Sequence, residues 1–152
     1  AMGRTGDNVQ NLQFRLSRDT GIRIDEYRKF MKAWKKRDAY FALGQAMHYL
    51  ADSWTPSHTI RDKSGNILMF QDYNAQDLNQ HKAMANLAKY SPKLYRQAVI
   101  YTALMILDAG SITNKFNASK YYPLGANPSI GIRKGMEERG FWDYMWNGYG
   151  GE

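Results

Sequence analysis

At 152 residues, 43% hydrophobic and 14% aromatic, the chain is too apolar for a disordered segment and long enough for one packed core. A net charge of +7 favours a polyanionic partner, nucleic acid or an anionic membrane surface, without choosing between them. With no cysteine, disulfides and thiolate zinc sites are excluded, which leaves histidine and carboxylate as the strong metal ligands.

The start, Ala1-Met2-Gly3, reads as a cloning remnant ahead of an excised domain, and no apolar signal-type stretch follows it. Residues 4–22 are polar and are expected to be irregular or briefly helical. Asp25 is expected to cap a helix reaching residue 36, with Tyr27, Phe30, Met31 and Trp34 on one face. RKFMKAWKKR, residues 28–37, holds six of the 21 basic residues and reads as a solvated face or a phosphate-tracking strip.

Asp38 is expected to cap a second helix over 39–54, AYFALGQAMHYLADSW, which Pro56 ends. Residues 59–75 carry Asp-Lys-Ser-Gly-Asn, a loop signal, and ILMF at 67–70 suits a short strand or a packed loop. A third helix is expected over 76–90 and a fourth over 92–109, with Pro92 at its first turn and Gly110 closing it. The fourth helix is apolar nearly all round and is expected at the centre of the fold. Its apolar run AVIYTALMIL, 98–107, is about half a membrane span, so no transmembrane segment is expected. Residues 111–152 lack periodicity and end in the aromatic cluster FWDYMWNGYG, with one short helix expected near 133–139. The expectation is a single all-α domain over 1–152: a helical core over 23–110 and an irregular aromatic tail over 111–152.

Within the second helix and the turn after it lies HYLADSWTPSH, residues 48–58. His48 and Asp52, four apart, share a helix face one turn from each other. Gly44, a further turn back, lets a backbone or ligand come close. Pro56 turns the chain, so that His58 can fold back to the same place, and His81 can approach from the third helix. Imidazole and carboxylate suit zinc, which lowers the pKa of a bound water towards 7. Spacing alone leaves a second reading open, in which these histidines are ordinary polar groups.

LGQAMHYLADSWTPSH, residues 43–58, resembles the core motif of the zinc-dependent phospholipase C and S1/P1 nuclease superfamily. Leu43, Gly44, Ala46, His48, Tyr49, Asp52, Pro56 and His58 stand in the register of that motif, and the His-x3-Asp-x5-His spacing matches without a gap. The resemblance implies an all-α helical bundle of the phospholipase C/P1 nuclease type, binding Zn2+ and hydrolysing phosphodiesters. It implies that His48 and Asp52 ligate one zinc, that His58 ligates a second, and that His81 is a further ligand. His48 and Asp52 would carry the catalytic chemistry, with Asp52 as ligand rather than general base.

Three departures accompany the resemblance. Ala85 stands four residues after His81 where the family has an acid, as a ligand lost in this branch or a carboxylate replaced to disarm a toxic domain. The family's N-terminal tryptophan ligand has no counterpart at Ala1. No histidine precedes His48, and Asp19, Asp25 or Asp38 would have to supply an upstream carboxylate. A reduced site of one or two metals is therefore expected.

Three functions follow: phospholipase C-type hydrolysis of phospholipids, S1/P1-type hydrolysis of nucleic acid, or a metal-binding domain without catalysis. Tyr49 and Thr55-Pro56 look closer to the phospholipase branch, while the basic run with its aromatics suits a nuclease. Lys82, beside His81, could contact a substrate phosphate or simply be solvated. Compact domains with this motif also resemble antibacterial toxin (effector) modules, secreted or delivered into the periplasm or cytoplasm of a target cell. An immunity protein covering the 48–81 face would then be the partner.

Overall fold

Val9, Leu12, Leu16, Thr20 and Ile24 recur every three or four residues, and this narrow stripe builds one continuous helix, α1, over Val9–Lys32. The computed structural model describes residues 9–55, 58–62, 64–71, 86–90, 92–111, 113–125 and 132–133. Residues 9–22 are thus helical rather than irregular, and Asp25 is an exposed position inside α1, not its cap. The stripe is easily missed because polar residues surround it.

The helix stops where Lys35 N–H donates to the Phe30 carbonyl at 2.9 Å and Trp34 N–H donates to the Met31 carbonyl at 3.1 Å. This pair of bonds is the Schellman ending, with the left-handed position at Trp34, φ 59°. Trp34 therefore leaves the apolar face it was expected to share and stands 83% exposed.

Helix α2 spans Lys36–Asp52 and packs chiefly on α1 through Ala39, Ala42, Leu43, Ala46 and Leu50. Asp38 sits inside its first turn, where a negative charge suits the helix dipole, and makes no capping bond there. The helix ends two residues before the expected boundary, because Trp54 turns inward and is 1% exposed.

Beyond the turn, β1 (Thr59–Arg61) pairs antiparallel with β2 (Ile67–Gln71). β2 pairs in parallel with β3 (Ile132–Arg133), giving sheet order β1-β2-β3. The fold is mostly helical, and this small sheet is a departure from an all-α bundle. β3 also replaces the start of the helix expected near 133; residues 134–139 lie outside the described residues. The Asp62–Asn66 loop forms as its sequence suggests, with Asp62 Oδ1 accepting from the N–H groups of Ser64 and Asn66, both at 2.9 Å.

Helix α3 covers only Leu87–Tyr90, and Asn86 Oδ1 accepts from Lys89 N–H at 3.3 Å at its start. Asn86 is itself non-helical, so the helix expected over 76–90 does not run unbroken; 76–85 lie outside the described residues. Helix α4 begins at Pro92 and ends at Gly110, as expected. It is not central. Leu94, Met105 and Ala109 are its buried residues, while Val99, Ile100, Leu104 and Leu107 are exposed.

The end of α4 is closed from across the fold. Arg28 donates to the carbonyls of Asp108 at 2.8 Å, Ala109 at 3.0 Å and Asn114 at 2.8 Å. One member of the basic run is therefore a helix cap, answering carbonyls that a helix end leaves unpaired. Lys29, Lys32, Lys35, Lys36 and Arg37 remain on the surface.

The segment expected to begin the irregular tail is instead part of the core. A 3-10 turn at Ala118–Tyr121 buries Tyr121 and Tyr122. The Tyr122 and Thr20 hydroxyls lie 2.6 Å apart, and Tyr121 donates to Asp108 Oδ2 at 2.8 Å. Burial pushes the Asp108 carboxyl up, but hydrogen bonds from Lys120 and Tyr121 outweigh it and hold it below the usual carboxylate range. Most of the aromatic tail, 134–152, lies outside the described residues.

Two glycine-type positions give opposite predictions. At Trp34, Trp34→Gly should raise stability by about 1 kcal/mol, read as a higher urea midpoint. At Gly65, φ is 85° and an added Cβ would stand 2.9 Å from Trp54 Cη2 and 2.7 Å from Gln97 Oε1. Gly65→Ala should cost more than about 1 kcal/mol in the same assay. The lowered Asp108 pKa makes its contribution complete above the usual carboxylate pKa of about 4, and lost as pH falls through the lowered value. The melting-temperature gap between wild type and Asp108→Asn should therefore be constant near neutrality and shrink in strong acid.

Candidate functional site

Asp52 is the last residue of α2, and His48 lies one turn before it on the same face. His48 Nε2 stands 3.1 Å from Asp52 Oδ2. His58 Nε2 lies 3.9 Å from the same oxygen. The fold-back of His58 expected from Pro56 therefore occurs, although Pro56 itself lies outside the described residues. The three side chains are graded from solvent inward: His48 is 71% exposed, Asp52 35% and His58 17%.

The turn that returns His58 is held by backbone bonds. Thr55 N–H donates to the Asp52 carbonyl at 3.1 Å, and the N–H groups of His58 and Thr59 both donate to the Thr55 carbonyl at 3.0 Å. The Thr55 hydroxyl adds a bond to the Asp52 carbonyl at 3.0 Å, and the Ser53 hydroxyl one to Leu50 at 2.6 Å.

Beneath this turn lies a residue that the sequence reading did not single out. Arg61, on β1, is 2% exposed. Its Nε donates to the Ser53 carbonyl at 2.9 Å, one terminal nitrogen to the Gly65 carbonyl at 2.6 Å, and the other to the Ser53 hydroxyl at 3.0 Å. Its guanidinium carbon lies 3.7 Å from the centre of the Trp54 ring. Arg61 so ties the end of α2 to the β1–β2 loop, and His58 lies between the tied points. The available signal was a charge inside the short buried strand Thr-Ile-Arg; buried arginine is rare unless its donors are met.

Two concave surfaces flank the site. On the α2 side, Tyr40, Phe41, Gly44, Gln45, His48 and Tyr49 line a groove, and a Cβ built on Gly44 would meet nothing within 4 Å. The Gly44 surface is open as expected. On α1, Arg23 donates to Glu26 at 3.1 Å, and its neighbours Tyr49 and Glu26 raise its pKa further. On the opposite side, Ala51, Trp54 and Thr55 face α4 across a largely apolar groove of about 570 Å3.

Two imidazoles and a carboxylate are zinc donors. With metal–ligand bonds near 2.0–2.2 Å, neighbouring donors in a tetrahedral site lie about 3.3 Å apart. The 3.1 Å separation of His48 and Asp52 suits that edge, and the 3.9 Å of His58 exceeds it by about 0.6 Å. Among the described residues no group of three or more His, Asp or Glu side chains is arranged so as to hold a metal ion. The donors are gathered around one oxygen and the residues fit the ion in kind.

His81, Lys82 and Ala85 lie outside the described residues. Of the three candidate upstream carboxylates, one is remote along its own helix. Asp38 is on α2 about 21 Å before Asp52 by helical rise, Asp25 is exposed on α1, and Asp19 pairs with Arg18 at 3.3 Å. Comparison with family models, curated proteins and solved structures returns no match.

Arg61→Lys keeps the charge but loses the fork and the ring stacking, so it should destabilise the fold by roughly 2–3 kcal/mol. Chemical denaturation checks this. A cost near zero would show that the guanidinium does not secure the turn.

Proposed function

We propose that the chain is a zinc-dependent phosphodiester hydrolase, most readily a phospholipase C-type enzyme, belonging to a bacterial toxin or effector. The observation that carries this reading is the convergence of His48 and His58 on one oxygen of Asp52, in the motif register that resembles the phospholipase C and S1/P1 nuclease superfamily. His48, Asp52 and His58 would hold the metal, with His81 as a further ligand. Zinc bound there would supply Lewis acidity to a phosphoryl oxygen and a nucleophile at neutral pH.

The chain's own residues do the rest. Asp52 orients His48, whose Nε2 lies 3.1 Å from its Oδ2. The turn pinned by Arg61 fixes His58, and His48 faces solvent where a phosphodiester can arrive. The apolar groove against α4 begins at Ala51 and Thr55, on either side of Asp52 and the turn, and suits the hydrocarbon of a lipid substrate.

A nuclease is the second reading, and one observation favours it. Exposed Tyr40 and Phe41 line the groove that reaches His48, directly after the surface cations of the basic run. Cations with stacking rings suit single-stranded nucleic acid. A toxin of either kind would require an immunity protein, expected to cover the face bearing His48.

Zinc content of the purified protein, by elemental analysis, should reach at least one equivalent. His48→Ala and Asp52→Ala should each weaken zinc binding by more than roughly a hundredfold and abolish hydrolysis. Ala85→Asp should strengthen it. Parallel assays on phosphatidylcholine vesicles and single-stranded DNA choose between the substrates. Full zinc binding by both alanine variants would overturn the site.

A further inference from the structure

We infer that the outer face of α4 docks the protein onto an anionic phospholipid bilayer. Tyr95, Val99, Ile100, Leu104, Ile106 and Leu107 are exposed on this helix, by 37% at Ile106 to 72% at Leu107. At 100° per residue they fall in one sector of about half the helix, opposite Leu94, Met105 and Ala109. A sector this broad exceeds the scattered apolar residues normal to a soluble surface.

Among the described residues of α3 and α4, the charges in this sector are cationic. Lys93 and Arg96 fall in the same sector, at its N-terminal end, and Lys89 on α3 is exposed just before them. The one carboxylate of α4, Asp108, lies at the edge of the sector and is bound to Lys120 at 2.8 Å and to Tyr121. An apolar helix face with cations at one end and, among the described residues of α3 and α4, no unpaired carboxylate matches the surface of an anionic membrane. It also accords with the net charge of +7. Among the described residues no helix is long and apolar enough to cross a membrane, so α4 would lie in the interface.

The placement deepens the phospholipase reading, on which its purpose rests. Tyr95, Val99 and Ile106 also line the groove that leads to Ala51 and Thr55 beside Asp52. A lipid drawn partly from the bilayer along that groove would bring its phosphate towards His48 and His58.

The test is sedimentation of the 152-residue chain with vesicles of phosphatidylcholine alone and of phosphatidylcholine mixed with phosphatidylglycerol. Binding should favour the mixed vesicles and weaken as salt rises. Ile100→Asp and Leu107→Asp, both at exposed positions, should each weaken binding roughly tenfold or more while leaving the melting temperature unchanged. Lys93→Glu with Arg96→Glu should remove the preference for phosphatidylglycerol. Sedimentation velocity of the free protein is the control: a dimer that Leu107→Asp dissociates, without vesicle binding, would assign the face to a second copy and overturn the inference. Equal binding by wild type and the aspartate variants would overturn it too. Hydrolysis of a soluble phosphodiester, bis-p-nitrophenyl phosphate, separates the two claims. Hydrolysis without vesicle binding sinks the docking face alone, and vesicle binding without hydrolysis sinks the enzyme reading alone.

Discussion

The buried guanidinium of Arg61 holds together three segments that would otherwise have little reason to meet. A cation removed from water is costly unless its donors are met, and here the Ser53 carbonyl, the Ser53 hydroxyl and the Gly65 carbonyl meet three of them. The Trp54 ring closes the fourth side. Glycine is needed at Gly65 on two counts, a left-handed backbone and an added side chain that would collide with Trp54. So the end of α2, the return of the chain and the β1–β2 loop share one anchor, and Asp52 and His58 lie on the segments it joins.

Arg28 plays a similar part at the other end of the fold. It joins α1 to the C-terminal carbonyls of α4 and to Asn114. From there the chain delivers Tyr121 and Tyr122 into the core, where Asp108 and Thr20 receive their hydroxyls. Two arginines, each bonded to backbone carbonyls, thus do much of what a larger apolar core would do. The remaining cations of the basic run stay on the surface, where they can serve a partner rather than the fold.

The candidate site is a junction rather than a deep cleft. A polar, aromatic groove on α2 reaches it from one side, and an apolar groove against α4 from the other. This division is the physical basis of the two substrate readings: rings and cations for nucleic acid, hydrocarbon for lipid. The unburied face of α4 weights the balance towards lipid, because a chain on its own gains nothing from holding that much apolar surface in water.

The sequence by itself determined the local features. The spacing of His48 and Asp52 placed them on one helix face, Pro92 marked the start of α4, and the 62–66 stretch made its turn. Each depends on residues a few positions apart. What lay beyond reach depended on partners far along the chain. The narrow stripe that makes α1 one helix counts only once α2 covers it. The aperiodic 113–125 segment is core because its tyrosines find Thr20 and Asp108, about a hundred and about a dozen residues away. Periodicity could not place α4, since a helix apolar all round looks the same whether it is surrounded or lies at the surface. Nor could spacing single out Arg61, whose role is defined by carbonyls that converge only in the folded chain. Tertiary structure alone decided these, because burying a charge or leaving an apolar face bare is settled by what packs beside it.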